Sequence, residues 1–407
     1  MATVSSWTPD GPSWAPSGLV APDSPGAVLQ LVRTGHVSSR SEIARLTGIS
    51  ATTAATRVQA LLDHGYLEEA GEGVSHGGRR PRQVRLRSAG GVVAAADLGG
   101  SHAALALFDL GGRLLAERSA SIRVQDGPES VLGWVHGQLV EMLAGLDGPA
   151  PLHAVTVGVP GPVDAQAGRV VTPARMPGWN GVDVRALLGR LVDVPVLVEN
   201  DANLMAVGEY AATPEPGRHL VFLKAGSGIG CGVVIDGHLH RGARGAAGDI
   251  SHASVGTHSD VPCSCGRIGC LDAVASGAAL ARDLAAAGLP VTDTADVLRL
   301  AADGEPVSAQ LLRSAGRATG EVLANVLNFF NPDTLVLGGR LSQAEPWVSG
   351  LRAVVYERCL PLATDALQVT VTRAGPLAGV IGGAHLALEH LFEPTRVNAA
   401  VGAGPAA

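Results

Sequence analysis

Gly248-Asp-Ile-Ser-His252, followed by Pro262-Cys-Ser-Cys-Gly-Arg-Ile-Gly-Cys270, is the most specific stretch of this chain. Three cysteines at C-x-C-x4-C spacing lie within eight residues, and a histidine sits eleven residues ahead of the first. Three thiolates and one imidazole make a closed tetrahedral set for zinc, the kind that holds structure and leaves no open position for chemistry. Gly266 and Gly269 permit the tight turns that aim all three sulfurs at one ion. The chain has five cysteines in all, so three in one loop is a concentration. A reduced loop with three idle thiols and a disulfide framework are the alternatives. The length of the chain and the odd cluster argue against the second. One structural zinc ion per chain is expected, held by His252, Cys263, Cys265 and Cys270.

Outward from that loop, composition sets the limits. A chain of 407 residues with 46% hydrophobic and 16% charged residues holds more than one domain and a sizeable core. No apolar run reaches the length of a membrane span, and the N-terminus lacks a basic-then-apolar leader, so a cytoplasmic protein is expected. Lys224 is the only lysine, which reads as compositional bias rather than function. Charge is uneven: residues 24–90 sum to +4 in a chain of −7, so the rest carries −11. A basic front and an acidic body suggest that only the front meets a polyanion.

Residues 1–25 are Pro-, Ser- and Gly-rich and read as a disordered lead-in. A winged helix-turn-helix is expected over 26–90. A first helix runs from about Pro25 to Thr34. Ser39-Arg-Ser-Glu42 is a capping box that starts a second helix, which carries Ile43, Ala44 and Leu46 and stops at Gly48. Ser50 caps a third, with Ala54, Val58, Leu61 and Leu62 on one face. Its N-terminal end suits the DNA major groove through Ser50, Ala51, Thr52, Thr53, Thr56 and Arg57. A hairpin from Tyr66 to Arg87 follows, tipped by Gly77-Gly-Arg79-Arg80-Pro81. Arg79 and Arg80 on such a wing suit the minor groove. A solvated basic loop is the plainer alternative. Double-stranded operator DNA is the expected partner, read by a homodimer or tetramer.

From Gly91 the pattern alternates strands and helices. Val92–Ala96 reads as a buried strand into Asp97-Leu-Gly99-Gly100-Ser101. Ala154–Val159 leads into Pro160-Gly161-Pro162, and Val196–Glu199 ends in Asn200-Asp201. Leu220–Lys224 precedes the glycine-rich Ala225–Gly232, and Thr334–Gly338 is a last strand. A carboxylate at a strand's C-terminal end, as at Asp201, is placed to accept a hydroxyl proton; an Asn-Asp pair is equally a helix N-cap.

The zinc stretch resembles the signature of the ROK family, which groups bacterial sugar kinases and sugar-responsive repressors. The Gly-Gly-Arg-Arg-Pro loop resembles the wing of its repressors. The resemblance implies a two-lobed α/β actin-like ATPase or sugar-kinase (ribonuclease H-like) fold behind the winged head. Lobe 1 would span 91–215 plus the helix 379–392, and lobe 2 would span 216–378. A disordered tail over 393–407 is expected from its Ala/Gly composition. The resemblance further implies a sugar or sugar-phosphate effector held by Asn200, Asp201, Asp249, His252 and Asp272, with Gly161 beside it. It also implies a repressor of sugar genes, or alternatively a hexose kinase in which Asp201 is the base and Asp97, Gly99 and Gly100 serve magnesium and phosphate. Asp249 and Asp272 stand where the family usually has Glu, and Arg175 where it often has Asn. A wider pocket with Arg175 as partner to an anionic sugar is one expectation; an Arg175 pointing to solvent is the other.

Overall fold

The computed structural model describes residues 21, 23–72, 82–214, 216–256 and 260–403. Three short helices lead: α1 (Pro25–Arg33), α2 (Arg40–Thr47) and α3 (Ala51–Asp63). Each begins at a serine whose hydroxyl accepts a free backbone N–H: Ser24 from Ala27, Ser39 from Glu42 and Ser50 from Thr53. Glu42 returns the bond one residue early, to the Ser38 N–H at 2.6 Å, and that bond holds its carboxyl below the usual range. Gly48 turns α2 into α3 with φ 75°. Leu46 is 51% exposed. The packed face of α2 is centred on Ile43 and Ala44, and Leu46 lies about 110° round the axis from their midpoint.

Strands β1 (Leu67–Glu72) and β2 (Arg82–Leu86) pair antiparallel, Leu67 opposite Leu86 and Glu68 opposite Arg85. Arg79 and Arg80, the expected wing tip, lie outside the described residues, as do residues 1–20 of the lead-in.

Two lobes follow. The first holds β3 (Val92–Leu98), β4 (His102–Asp109), β5 (Leu114–Ser121), α4 (Pro128–Ala144), β6 (Leu152–Val159), β7 (Val163–Asp164), β8 (Arg169–Val170), α5 (Val184–Leu188), β9 (Val196–Asn200) and α6 (Asp201–Ala212). The second holds β10 (His219–Ala225), β11 (Ile229–Ile235), β12 (His238–Leu239), α7 (Leu271–Ala275), α8 (Gly277–Ala286), α9 (Thr294–Ala302), α10 (Pro306–Phe330), β13 (Thr334–Gly338), α11 (Glu345–Arg358), α12 (Pro361–Thr364) and β14 (Gln368–Val371). The five-stranded sheets run β5-β4-β3-β6-β9 and β12-β11-β10-β13-β14. In each, the first strand lies at the centre, with an antiparallel meander on one side and two parallel strands on the other. The same wiring is thus used twice. β3 is buried along its whole length, which is why Val-Val-Ala-Ala-Ala-Asp-Leu does not alternate.

Helix α13 (Ala378–Leu391) packs on β3 and β6 and crosses α6, which itself packs on β10 and β11. The crossing is made by glycine. A Cβ at Gly208 would lie 1.8 Å from the Ala378 carbonyl, and one at Gly382 1.9 Å from that of Leu204.

The expected unstructured tail is corrected here: α14 (Pro394–Gly402) is a helix packed on α1. Val397 is fully buried with Val28 and Leu29, and Asn398 Oδ1 accepts the Gly26 N–H at 2.8 Å. Burial and a helix-end bond order this segment in spite of its composition. One hydrophobic core therefore joins Val28, Ile43 and Leu61 of the head, Val93 and Ala106 of lobe 1, and Leu388, Phe392 and Val397 of the C-terminal helices.

Candidate functional site

Between β12 and α7 the backbone doubles back on itself. Ser254 bridges to Cys270 and Pro262 to Ile268. Gly266 and Gly269 take φ 88° and 66°, which lets the Cys263 N–H reach the Arg267 carbonyl at 2.8 Å. The donor atoms of His252, Cys263, Cys265 and Cys270 come within 4.8 Å of one another. Cys263 Sγ is 3.6 Å from His252 Nδ1, and Cys265 Sγ is 3.7 Å from Cys270 Sγ. Tetrahedral bonds of zinc length put sulfur–nitrogen pairs ~3.6 Å and sulfur pairs ~3.8 Å apart, so the donor set fits such an ion. The Arg267 backbone N–H draws the Cys265 thiol down to about 6. Burial, with Cys265 and Cys263 beside it, pushes Cys270 up to about 12. Sulfurs so crowded can all ionise only around a cation.

A cleft of about 1260 Å³ opens between the lobes next to this loop. Gly161, Arg175, Asn200, Asp201, Asp249, His252 and Asp272 all line it, as do Asp97 and Gly100. Gly99 instead packs against the His102 ring, where a Cβ would lie 2.2 Å away. Asn200 caps α6 by accepting from Ala202 and Asn203, and its amide donates to the Gly161 carbonyl at 3.1 Å. Asp201 opens α6, with one oxygen on the Ala202 N–H at 2.7 Å and the other ion-paired to Lys224. Asp249 accepts the Ser251 N–H at 3.3 Å.

The Arg175 side chain is not turned to solvent. Its guanidinium reaches across the cleft to the Ser227 carbonyl (2.7 Å), Ser276 Oγ (3.1 Å) and Asp272 Oδ2 (2.7 Å). Asp272 is buried, and its Oδ1 accepts the Ile229 N–H at 3.0 Å. A buried carboxylate needs a counter-charge, and the guanidinium fork supplies it from the opposite lobe. Arg175 is a clasp between lobes.

Four lining or supporting groups lay outside the sequence reading. Lys224 is the cation on Asp201. Glu199 is buried; it accepts the Asn200 N–H and the Asn203 amide, both at 2.9 Å, and pairs with Arg241 at 2.6 Å, tying β9 to the loop before the metal site. Its place directly before Asn-Asp was a usable signal; Arg241 carried none. His102 lines the cleft, and burial holds its imidazole below the usual range. Asp97 is buried and pushed up to about 7 by that burial, with Lys224 opposing and Asp201 adding to the rise. Its Oδ1 has no hydrogen-bond partner.

On the head, Ser50, Ala51, Thr52 and Thr56 are exposed and Thr53 half-buried along the first turns of α3. Thr56 Oγ1 bonds the Thr52 carbonyl at 3.0 Å, and Arg57 Nε donates to the Asp23 carbonyl at 3.0 Å.

A model described as the ROK family matches residues 93–390. The xylose repressor of Caldicellulosiruptor bescii is 27% identical over 371 residues, covering 87% of this chain and 92% of that protein. The glucokinase of Thermotoga maritima is 30% identical over 312 residues, covering 72% of this chain and 96% of that protein. A solved ROK family transcriptional regulator, described as a homolog of the E. coli MLC protein, superposes with TM-score 0.75 at 25% identity over 93% of this chain and 98% of its own. The likeness shows the fold expected from the sequence, a helix-turn-helix head on a two-lobed sugar-kinase-like body.

Proposed function

The chain belongs to the ROK family, and from that premise we propose that it is a DNA-binding transcriptional repressor of sugar genes whose hold on an operator is set by a sugar in the cleft. The observation that supports this most is the shared core: a helix-turn-helix head is packed into the same hydrophobic interior as the sheet that walls the cleft. Fold alone does not carry function. A head and a cleft that cannot repack independently do argue for a sensor.

In this reading Ser50, Ala51, Thr52, Thr53, Thr56 and Arg57 meet the major groove, and Arg79 and Arg80 reach the minor groove. The protein acts as a homodimer or tetramer on paired half-sites, in the compartment that holds the DNA. No helix among the described residues is long and apolar enough to cross a membrane. The effector's hydroxyls bond Asn200, Asp201, Asp249 and the free ring nitrogen of His252, beside Gly161. Asp272 and Arg175 release each other or stay clasped according to lobe position. His252, Cys263, Cys265 and Cys270 hold one zinc ion, which keeps Asp249 and Asp272 in place. A tenfold difference in sugar affinity between two lobe positions is about 1.4 kcal/mol of coupling, within reach of one or two hydroxyl bonds.

The test is band shift of a duplex selected from a random library, titrated with a panel of pentoses, hexoses and hexose 6-phosphates. DNA release by at least one saccharide at constant protein supports the reading; selection of no duplex, or binding indifferent to every sugar, rejects it. The glucokinase relative favours a second reading, ATP-dependent hexose phosphorylation with Asp201 as base, Asp97 near magnesium and Gly99 and Gly100 near phosphate. A coupled assay with the same panel, lost in Asp201→Asn, would support that reading instead.

A further inference from the structure

The chain passes between the lobes twice, once from α6 to β10 and once from β14 to α13. Glu209, near the end of α6, binds the two crossings together. Its buried carboxylate accepts the Thr372 hydroxyl at 2.6 Å, the Arg373 N–H at 2.8 Å and the Ala374 N–H at 3.1 Å. Charge-assisted bonds to two backbone N–H groups make this a fixed point, so one lobe turns on the other about this end of α6. Asp201, at the start of the same helix, lies about 12 Å away. It is paired with Lys224, and Glu199 just before it with Arg241. Both pairs join the base of α6 to lobe 2, on which α6 itself packs through β10 and β11. Arg175 stands at another edge. With Asp272 it lines both the cleft and an outer hollow of about 400 Å³ beside Cys263 and Ser264. From lobe 1 its guanidinium reaches three points of lobe 2: Asp272, Ser276 and the Ser227 carbonyl. The glycine-rich turn is thereby held twice, Ser227 by Arg175 and the Ile229 N–H by Asp272.

We propose that Arg175 is an autoinhibitory latch: its pair with Asp272 shuts the mouth of the cleft with the protein's own charges, away from the Glu209 hinge, and a ligand enters when the guanidinium lets go. The pair suits a latch better than a permanent tie. The Arg175 side chain is 36% exposed, so water can take its charge as the lobes part, and parting opens Asp272 to the cleft as well. Asp272 keeps the Ile229 N–H in either position, because both belong to lobe 2. Two lobe positions that each satisfy these charges differ by little free energy, which is what a switch requires. The latch then sets how much effector is needed, alike for neutral and anionic sugars, since what it limits is entry. Its regulatory meaning rests on the cleft being the sugar site, yet its test uses no sugar and no DNA, so its failure leaves the repressor reading standing.

Zinc-loaded, full-length protein is given two nitroxides on keto-bearing residues at the exposed positions Val171 and Ile268, each four residues ahead of a latch partner. The distance between them is read by double electron–electron resonance. Wild type gives one short, narrow distance. Arg175→Ala adds a longer one and raises the open fraction about tenfold, the factor carried by a single charge-assisted hydrogen bond. Asp272→Asn, which keeps an acceptor for the Ile229 N–H and removes the charge, does the same from the other loop. Wild type at rising NaCl needs no substitution, and its longer distance grows as a part-exposed pair is screened. One distance shared by wild type and both variants overturns the proposal. Widening in one variant alone, which a local loop change would give, overturns it too, as does a wild type whose distance ignores salt.

Discussion

Phe392 is the residue on which the attachment of the head turns, and Phe392→Ala tests it. The ring is 2% exposed in the core shared by head, sheet and C-terminal helices. The Arg33 guanidinium lies 5.7 Å above it, and Tyr66 meets it edge-on with centroids 6.4 Å apart. Truncating a buried Phe to Ala costs about 3–5 kcal/mol. Loss of the Arg33 contact adds about 0.5–1 kcal/mol. The Gln30 amide bond to the Phe392 carbonyl, at 2.6 Å, is retained, because it is made to backbone. About 4 kcal/mol is close to a thousandfold in the ratio of docked to undocked head. The second lobe and the His–Cys loop belong to other clusters and are spared. Calorimetry should therefore show a low-temperature transition for the head ahead of an unshifted main transition. In the band-shift assay the sugar response should fall toward nothing while zinc content stays at one per chain. A single transition at the wild-type temperature together with an undiminished sugar response would refute the claim that head and body share one core.

Arg175→Ala should leave the affinity ratio between a hexose and its 6-phosphate unchanged by calorimetry, because the guanidinium is already committed to Asp272; loss of a phosphate preference in the variant would show that Arg175 is an anion partner after all. Cys265→Ser should drop metal content, read by inductively coupled plasma mass spectrometry, from about one ion per chain to near zero, since a structural site needs its full tetrahedral set. Stability should also carry an Asp97 signature. Its folded pKa, about 7, lies above the ordinary 3.8, so its contribution is complete below that ordinary value and is lost as pH rises toward 7. Urea unfolding of zinc-loaded protein between pH 5 and 7 should fall with pH more steeply in wild type than in Asp97→Asn, by at most about 1.4 kcal/mol per unit; parallel profiles would refute the burial assigned to Asp97.

What could be read from the chain and what could not divides along physical lines. Ser24, Ser39 and Ser50 cap helices through bonds that span three residues, and Gly48 needs a positive φ within its own turn. Such local rules show in sequence. The His–Cys cluster showed because its residues are few, chemically distinctive and mostly gathered in one loop. Arg175 did not, because its partner Asp272 lies across a cleft and nothing in Pro-Ala-Arg-Met says which lobe the side chain faces. Lys224 was visible as an oddity and dismissed, since its ion-pair partner Asp201 lies 23 positions away. α14 was missed for a related reason. Its Ala-rich composition argues for no structure until Val397 and Asn398 are seen against α1, a contact that closes the chain end to end.

That closure bears on how an event in the cleft reaches DNA. Helix α13 starts where Gly379 meets the Asp97 carboxylate, so closely that a Cβ there would lie 2.1 Å from Oδ2. It crosses α6 at Gly208 and Gly382 with backbone against backbone, leaving no side-chain cushion to absorb a shift. It ends at Glu389, which pairs with Arg33 of α1, and at Phe392 beneath the head. α6 in turn begins at Asn200 and Asp201, the proposed sugar contacts. A rotation of one lobe on the other must then be taken up at the α6–α13 crossing, and packed interiors repack between discrete arrangements rather than stretch. The head moves with α13 because its own core is built on that helix. A dimer interface can amplify this motion, but the first step is inside one chain, along a path whose two ends are Asp97 and Phe392.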